Sequence, residues 1–566
     1  MSSTGFNLVY WCWSRRFCFA GVGVIESGES LHAVETVILL LLVLVAAFAV
    51  VAQRLKVPYP IVLVLAGLVI SFVPHIPRVP LDPNIVFVVF LPPLLYSSAW
   101  LISWREFRRN AVLIGLLAVG LVGFTVWGVA EFSDRFITAL YWKPGFLLGA
   151  VVATTDAIAA TSIAKAVGLP RKIVDVLEGE SLLNDATGLL ALEIGLAIMV
   201  RGEMPTVGSG LARLVYLVVG GLVIGLLIGV VVGWMEKFID DGPVELVVSL
   251  VVPYAAYLAG ERAHASGVLA VVACGIYMSR KSTQFFSPAV RLQVNGAWEA
   301  LTFMLNGLVF VLIGLQLPYV LAGIHGKYGT GTLIFYGAVF STVLIMLRMI
   351  WVFPAVKIAA FVERRWLGHR DETELKPREV FVVGWTGMRG VLALAAAISV
   401  PEVQWNGEPF EERNLIVFLA FCVIFVTLVL QGLTLPALIR GLGLSGTVGM
   451  EPEEREARRI ILKSAIRYLE EGRKSSDGPV AHLYDDLVHR YRHKLAHVSV
   501  GTEKSIGGLG EETYSRLRSI AEGALQAERS TLIGLRDSGR ISDDVLRTLE
   551  RELDLAESQY QGIPLS

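Results

Sequence analysis

The feature that most constrains this chain is a succession of long apolar runs with almost no charge inside them. Val37–Ala52 and Leu214–Met235 are two of many. A run of roughly 18 or more apolar residues matches the bilayer hydrocarbon thickness of about 30 Å. One such run is compatible with a signal peptide or a buried core helix; many in succession are not. Lipid offers no partners for backbone N–H and C=O groups, so only helices and closed barrels span it. The runs here are continuous and do not alternate, which selects helices. Composition agrees: 54% of the 566 residues are hydrophobic and 17% are charged, against about 25% charged in soluble domains.

The runs divide the chain into about thirteen candidate spans. The first half holds 33–53, 59–73, 83–101, 110–132, 144–167 and 172–200, and a linking span lies at 214–236. The second half holds 243–260, 264–280, 289–317, 331–360, 378–400 and 413–440. The expected fold is an all-α polytopic membrane protein: about thirteen transmembrane helices, two inverted six-helix repeats, and a helical cytoplasmic tail. Expected domains are an N-terminal extension at 1–32, a transmembrane domain at 33–442 and a cytoplasmic helical domain at 443–566. Residues 1–30 contain Arg15 and Arg16 with only a short apolar stretch after them, and are read as an extension rather than a cleaved signal.

Lys and Arg set the orientation. One set of loops holds Arg54, Lys56, Arg105, Arg108, Arg109, Lys165, Arg171, Lys172, Lys237 and further basic residues to Arg378, about twice as many as the other set. That richer set is expected in the cytoplasm. The N-terminus then lies outside, and the charged tail after 443 lies inside, at a cell (inner or plasma) membrane.

Several function classes fall away. Net charge is −1, so nothing argues for nucleic acid. The four cysteines, Cys12, Cys18, Cys274 and Cys422, have no metal-ligand spacing. Gly441 to Gly449 has glycines but no Walker lysine, which argues against ATP as the energy source. No nucleophile–base pair suggests an enzyme. No cofactor is expected.

Two spans at matching positions of the two halves are interrupted by polar or glycine-rich stretches. The fifth contains Val151-Val-Ala-Thr-Thr-Asp-Ala157, and the twelfth Gly384-Trp-Thr-Gly-Met-Arg-Gly390. Helices 5 and 12 are therefore expected to be discontinuous, and paired breaks are a pointer to a transporter's binding site. Ionisable groups at membrane depth are functional candidates by default. The densest group is Glu178-Gly-Glu-Ser-Leu-Leu-Asn-Asp-Ala186, which opens the sixth span. On a helix, Glu180 and Asn184 share one face, and Ser181 and Asp185 the neighbouring one. Together they make a patch of hard oxygen ligands suited to Na⁺ or Li⁺. The competing reading is a cytoplasmic loop that precedes the helix. Asp156, after Thr154 and Thr155, either belongs to the ion site or caps the break locally. Arg348 inside the eleventh span demands a buried acidic partner, and Glu180 is the first choice. Arg389 offers a fixed positive charge at the second break, placed to neutralise helix C-terminal ends or to exclude a second cation. Glu193, Glu299, Asn306, Asn295, Ser97 and Ser98 are weaker candidates.

Four motifs carry a resemblance to a known family: Phe90-Leu-Pro-Pro-Leu-Leu95, Thr155-Asp-Ala-Ile-Ala159, Gly179-Glu-Ser-Leu-Leu-Asn-Asp-Ala186 and Gly387-Met-Arg-Gly-Val391. They resemble the monovalent cation/proton antiporters, in the branch of electroneutral Na⁺/H⁺ antiporters and exchangers. The resemblance covers about 33–440. It implies that Asp185 binds cation and proton in turn. It implies that Asp156, Thr155 or Thr154, and Ser181 contribute cation ligands, with Na⁺ held by Asp185, Asp156 and Ser181. It also implies that neutral Asn184 marks the electroneutral branch, that Glu180 and Arg348 form a structural pair, and that the protein is a homodimer. Some members of the family carry an acidic residue soon after the paired prolines; here Tyr96, Ser97 and Ser98 occupy that stretch. The expected function is one-for-one Na⁺(Li⁺)/H⁺ exchange by alternating access. K⁺/H⁺ exchange, and then a cation channel or sensor, are the alternatives.

Overall fold

A computed structural model describes residues 28–55, 57–73, 82–137, 140–201, 206–239, 241–286, 288–324, 328–367, 375–404, 407–445, 452–474, 479–499 and a few positions from 523 to 553. The N-terminal extension up to 27 and most of the tail beyond 499 lie outside the described residues. The chain separates into two units, 1–445 and 446–566.

The described residues of the first unit are mainly helical, with one isolated bridge between Val403 and Pro409. Besides short helices at Trp104–Arg109 and Leu317–Ile324, its helices are α1 (Gly28–Leu55), α2 (Tyr59–Ser71), α3 (Pro83–Leu101), α4 (Ala111–Phe136), α5 (Trp142–Ala153) and α6 (Ala157–Val167). Then come α7 (Arg171–Arg201), α8 (Val207–Met235), α9 (Gly242–Arg262), α10 (Gly267–Phe285), α11 (Pro288–Leu315) and α12 (Thr330–Val362). The last three are α13 (Pro377–Trp385), α14 (Val391–Ile398) and α15 (Arg413–Gly441). Among the described residues, ten helical segments are long and apolar enough to cross a membrane. The chain is a multi-pass membrane protein. The expected span 59–73 is an apolar helix of 13 residues, and the expected span 378–400 is two short helices, neither of which crosses alone.

Local chemistry sets the helix starts. Asp82, Thr206, Asp241 and Ser266 each accept a backbone N–H from the first turn that follows them, as N-caps do. Proline stands in the first two positions of α2, α3, α9 and α13, where its missing N–H costs nothing. Inside α3, Pro93 has no N–H to offer the carbonyl of Val89. The helix widens into a π turn over Val86–Phe90, and the hydroxyl of Tyr254 in α9 donates to Val89 O at 3.1 Å. At a similar π turn, Leu116–Gly120 of α4, carbonyls also take side-chain donors from α7 and α12. Thr187 Oγ1 donates to Ala118 O, and Trp351 Nε1 donates to Leu116 O at 3.1 Å.

Close helix contact rests on small residues, as it must where lipid supplies no hydrophobic drive. Gly67 of α2 and Gly314 of α11 face each other so tightly that a Cβ on either would strike the opposite backbone. The largest buried apolar cluster joins α4 to α7 with α12 to α15. A second cluster centres on α3, α9 and α10 and takes in Leu182 of α7 and Leu392 of α14. Exposed apolar side chains line α8, from Leu211 to Trp234, the surface expected toward acyl chains.

In the second unit, α16 (Pro452–Lys474) and α17 (Pro479–Ser499) form an antiparallel hairpin. Arg473 pairs with Asp485, and Arg492 with Glu470 at 2.6 Å. These pairs are exposed and add little; the buried Ile466 and Val488 supply the apolar contact.

Candidate functional site

Two helices are broken where glycine, threonine and charge interrupt the apolar pattern. Residues 154–156 separate α5 from α6, and 386–390 separate α13 from α14. The breaks meet: Asp156 N–H donates to Met388 O at 2.8 Å. Each broken end needs partners, because a helix terminus leaves carbonyls or N–H groups unpaired. Arg389 serves the C-terminal end of α5, with Nε donating to Val152 O at 2.7 Å and Nη1 to Gly387 O at 2.7 Å. Arg348 serves the C-terminal end of α13, with Nη2 donating to Val383 O at 3.0 Å. Both arginines are buried and place positive charge at the negative ends of helix dipoles. At the N-terminal end of α6, Asp156 Oδ1 accepts from Ile158 N–H at 2.8 Å. The local capping role is therefore real. It occupies one carboxylate oxygen and leaves Oδ2 against Gly390, where a Cβ would collide with it.

α7 faces these breaks with its polar patch. The stretch from Glu178 to Asp185 is helix, not loop, which sets aside the reading of it as a cytoplasmic connection. Glu180 is 1% exposed and Arg348 2%, and they form a bidentate pair at 2.5 and 2.9 Å. Glu180 also accepts from Thr155 Oγ1 at 3.2 Å, and Asn184 Nδ2 donates to the same hydroxyl oxygen. Ser181 Oγ donates to Thr155 O at 2.8 Å. Three residues of α7 thus hold Thr155 in its non-helical place. Asp185 is buried and within electrostatic reach of Asp156. Asn184 Oδ1 is a buried acceptor without a donor among the described residues.

Sequence reasoning brought Asp156, Thr155, Glu180, Ser181, Asn184, Asp185, Arg348 and Arg389 to one place, and the structure has them there. Thr154 is buried beside them, but its methyl packs on Gly188. Glu193 is exposed on the lipid or solvent side and pairs with Arg213 at 3.2 Å. Asn295 and Glu299 are exposed, whereas Asn306 is buried. Ser97 meets Thr302 at 3.2 Å. Two participants were missed. Thr427 Oγ1 accepts the backbone N–H of Arg389 at 3.1 Å, and a threonine in an apolar span gives no distinguishing signal. Tyr59, at the start of α2, lies within electrostatic reach of Asp156. Among the described residues no three His, Cys, Asp or Glu side chains converge as a metal cluster.

With this geometry in place, comparison with known proteins is informative. The family model described as the sodium/hydrogen exchanger, transmembrane, matches residues 38–441. The chain belongs to that family. An uncharacterized Na⁺/H⁺ exchanger of Mycobacterium bovis is 32% identical to it over 92% of this chain and 95% of the relative. The uncharacterized exchanger YjcE of Escherichia coli is 29% identical over 92% and 98%. The sodium, potassium, lithium and rubidium/H⁺ antiporter of Bacillus subtilis is 28% identical over 93% and 78%. Among solved structures, the sodium proton antiporter MjNhaP1 of Methanocaldococcus jannaschii aligns with TM-score 0.56 and 20% identity, over 74% of this chain and all of the other. That likeness concerns the fold. These matches are secondary transporters, not enzymes, and the exchanger described here is placed among them.

Within the exchanger, the capping role of Asp156 and the ion-binding role expected of it separate by substitution. Asn is an equally good N-cap, whereas Ala forfeits about 1 kcal/mol. Asp156→Asn is expected to keep the melting temperature of the purified protein and to lose most exchange; Asp156→Ala is expected to lose both. Full exchange by Asp156→Asn would leave the capping role alone.

Proposed function

We propose that this exchanger moves Na⁺ or Li⁺ against H⁺, one for one, by competition at Asp185. One observation carries the reading: buried Asp185 lies within electrostatic reach of half-buried Asp156, while both buried arginines nearby are engaged elsewhere. Arg348 is committed to Glu180, and Arg389 to the carbonyls of Val152 and Gly387. Burying unpaired charge is costly, so Asp185 and Asp156 require a proton or a metal cation from outside. The unsatisfied Asn184 Oδ1, the Ser181 hydroxyl and the break's backbone add neutral oxygens, a donor set for a hard cation. Desolvation favours the proton and a cation displaces it, so the two exclude each other. If loaded forms cross and the empty form does not, strict exchange follows. Asn184 is neutral, so one proton per cation is the simplest stoichiometry.

The same reading extends to architecture. It takes the helices as about thirteen spans in two inverted halves, with the site near midplane. Residues 33–442 form the transport domain and 443–566 a cytoplasmic domain, with the N-terminus outside and the working unit a homodimer at the cell membrane. Neither ATP nor nucleic acid enters the cycle. The names of the Bacillus relatives include potassium and rubidium, which keeps K⁺/H⁺ exchange as the second reading. Purified protein in vesicles with an internal pH reporter, given Na⁺, Li⁺ and K⁺ separately with and without clamped voltage, tests all of this. Na⁺ and Li⁺ are expected to drive proton movement that voltage leaves unchanged. A response to K⁺ alone favours the second reading, and steady current without proton movement identifies a channel.

A further inference from the structure

Behind the polar patch of α7 stands a contact that the proposed exchange chemistry does not use. Thr187 lies two residues past Asp185, is buried, and donates its hydroxyl toward α4. A threonine inside a helix ordinarily returns its hydroxyl to a carbonyl of the preceding turn. Two such carbonyls are in range, Asn184 O at 3.1 Å and Leu183 O at 3.4 Å. The hydroxyl has one hydrogen, and its closest acceptor is on another helix, Ala118 O of the α4 π turn. The same turn receives α12. Leu116 O accepts the N–H of Leu121, five residues on, and also the indole N–H of Trp351 at 3.1 Å. Gly120 ends the turn, and a Cβ there would strike the Trp351 ring. Phe124, one helical turn on, stacks against that ring at 5.0 Å. Single π turns inside α-helices recur at functional sites.

These contacts close a triangle of helices. Glu180 of α7 binds Arg348 of α12, Trp351 lies three residues past Arg348 and binds α4, and α4 in turn binds Thr187 of α7. Along α7, Asp185 stands between Glu180 and Thr187. Its own side chain makes no hydrogen bond to a described residue, so its neighbours fix where it stands. On one side Ser181 and Asn184 hold the first break through Thr155. On the other, Thr187 holds α4, and Gly188 leaves room for the Thr154 methyl group, which a Cβ would strike. We propose that Thr187 is a positioning residue for exchange: its hydroxyl, held by the α4 π turn, sets the distance between Asp185 and the break at Asp156, and with it the affinity for the transported cation. This role rests on the reading of Asp185 as the cation site and adds what places it there. A role in packing alone would call on the methyl group of Thr187 and not on its hydroxyl.

Thr187→Val keeps the shape and removes the donor; Thr187→Ser keeps the donor and removes the methyl group. In vesicles given Na⁺, Li⁺ and K⁺ in turn, Thr187→Val is expected to raise the cation concentration for half-maximal proton movement about tenfold, the scale of losing a hydrogen bond behind a metal ligand. The maximal rate is expected to change little, and Thr187→Ser is expected to match wild type in both. Trp351→Phe keeps a ring against Phe124, loses the indole N–H, and is expected to move the half-maximal concentration in the same direction. A second readout needs no transport. Infrared difference spectra at acidic pH are expected to show the protonated Asp185 carboxyl group as the band that Asp185→Asn lacks. Thr187→Val is expected to shift that band, and Thr187→Ser to leave it in place. If wild type moves protons with none of the three cations, the proposed function fails, and the infrared comparison alone judges the positioning of Asp185. Should Thr187→Val not fold, Trp351→Phe carries both readouts, and a folded Trp351→Phe protein that moves neither overturns the proposal. A folded Thr187→Val protein with the wild-type half-maximal concentration and an unshifted band would overturn it too. So would Thr187→Ser as impaired as Thr187→Val, since the methyl group would then be what matters.

Discussion

Asp185→Asn is expected to reduce Na⁺-dependent proton movement in vesicles to the level of protein-free vesicles. The Asp185 carboxylate is the acid of the α7 patch that no arginine engages: Glu180 is held by Arg348, Asn184 is an amide, and Ser181 is a hydroxyl. An amide at position 185 retains shape and loses both competing ligands. The substitution is also expected to leave folding intact. The Asp185 side chain makes no hydrogen bond to a described residue, and it lies within electrostatic reach of Asp156. Replacing a buried ionisable group by a neutral amide removes its desolvation cost, so the melting temperature at neutral pH should match or exceed that of wild type. A stable Asp185→Asn protein that still exchanges at wild-type rate would refute the competition mechanism. Thermal melts on the same sample keep loss of function distinct from loss of fold.

Much of this site was legible because charge is conspicuous in apolar sequence. Arg348 stands alone in its span, so it announced the need for an acid, and Glu180 supplies it across 168 residues. The two breaks were legible because Thr-Thr-Asp and glycine-rich stretches interrupt long apolar runs. The targets of Arg389 were not, since backbone carbonyls carry no sequence signature. The π turns at Val86–Phe90 and Leu116–Gly120 were also hidden, although Pro93 hinted at the first. Glu236 and Glu245 escaped notice for another reason. Each sits at the end of an apolar run beside Lys237 or Asp241, where a carboxylate ordinarily meets water; only packing reveals that both are buried. Glu193 shows the converse, an acid within an apolar run that is exposed and paired on the surface. Sequence locates charge relative to hydrophobic length, whereas packing decides which charges are desolvated.

Glu180→Gln is expected to cost the exchanger most of its folded yield rather than a specific catalytic step. The Glu180–Arg348 pair is bidentate and almost wholly buried, and it ties α7 to α12. A glutamine keeps the acceptor for Thr155 Oγ1 but leaves the guanidinium uncompensated in the helix bundle. Breaking a buried pair by removing one partner typically costs about 3–5 kcal/mol, a large share of the stability of an ordinary domain. Loss should appear as aggregation in size-exclusion profiles and as a much lower melting temperature. The double substitution Glu180→Gln with Arg348→Met separates charge from geometry. Replacing both ions removes the desolvation penalty, so folded yield should recover in large part. Recovery should remain incomplete, because Arg348 also donates to the carbonyl of Val383 at the end of α13, and methionine cannot. If Glu180→Gln alone folds like wild type and loses exchange, Glu180 belongs to the ion path itself. The buried pair would then be part of the transport chemistry rather than the clasp that holds α7 against the two breaks.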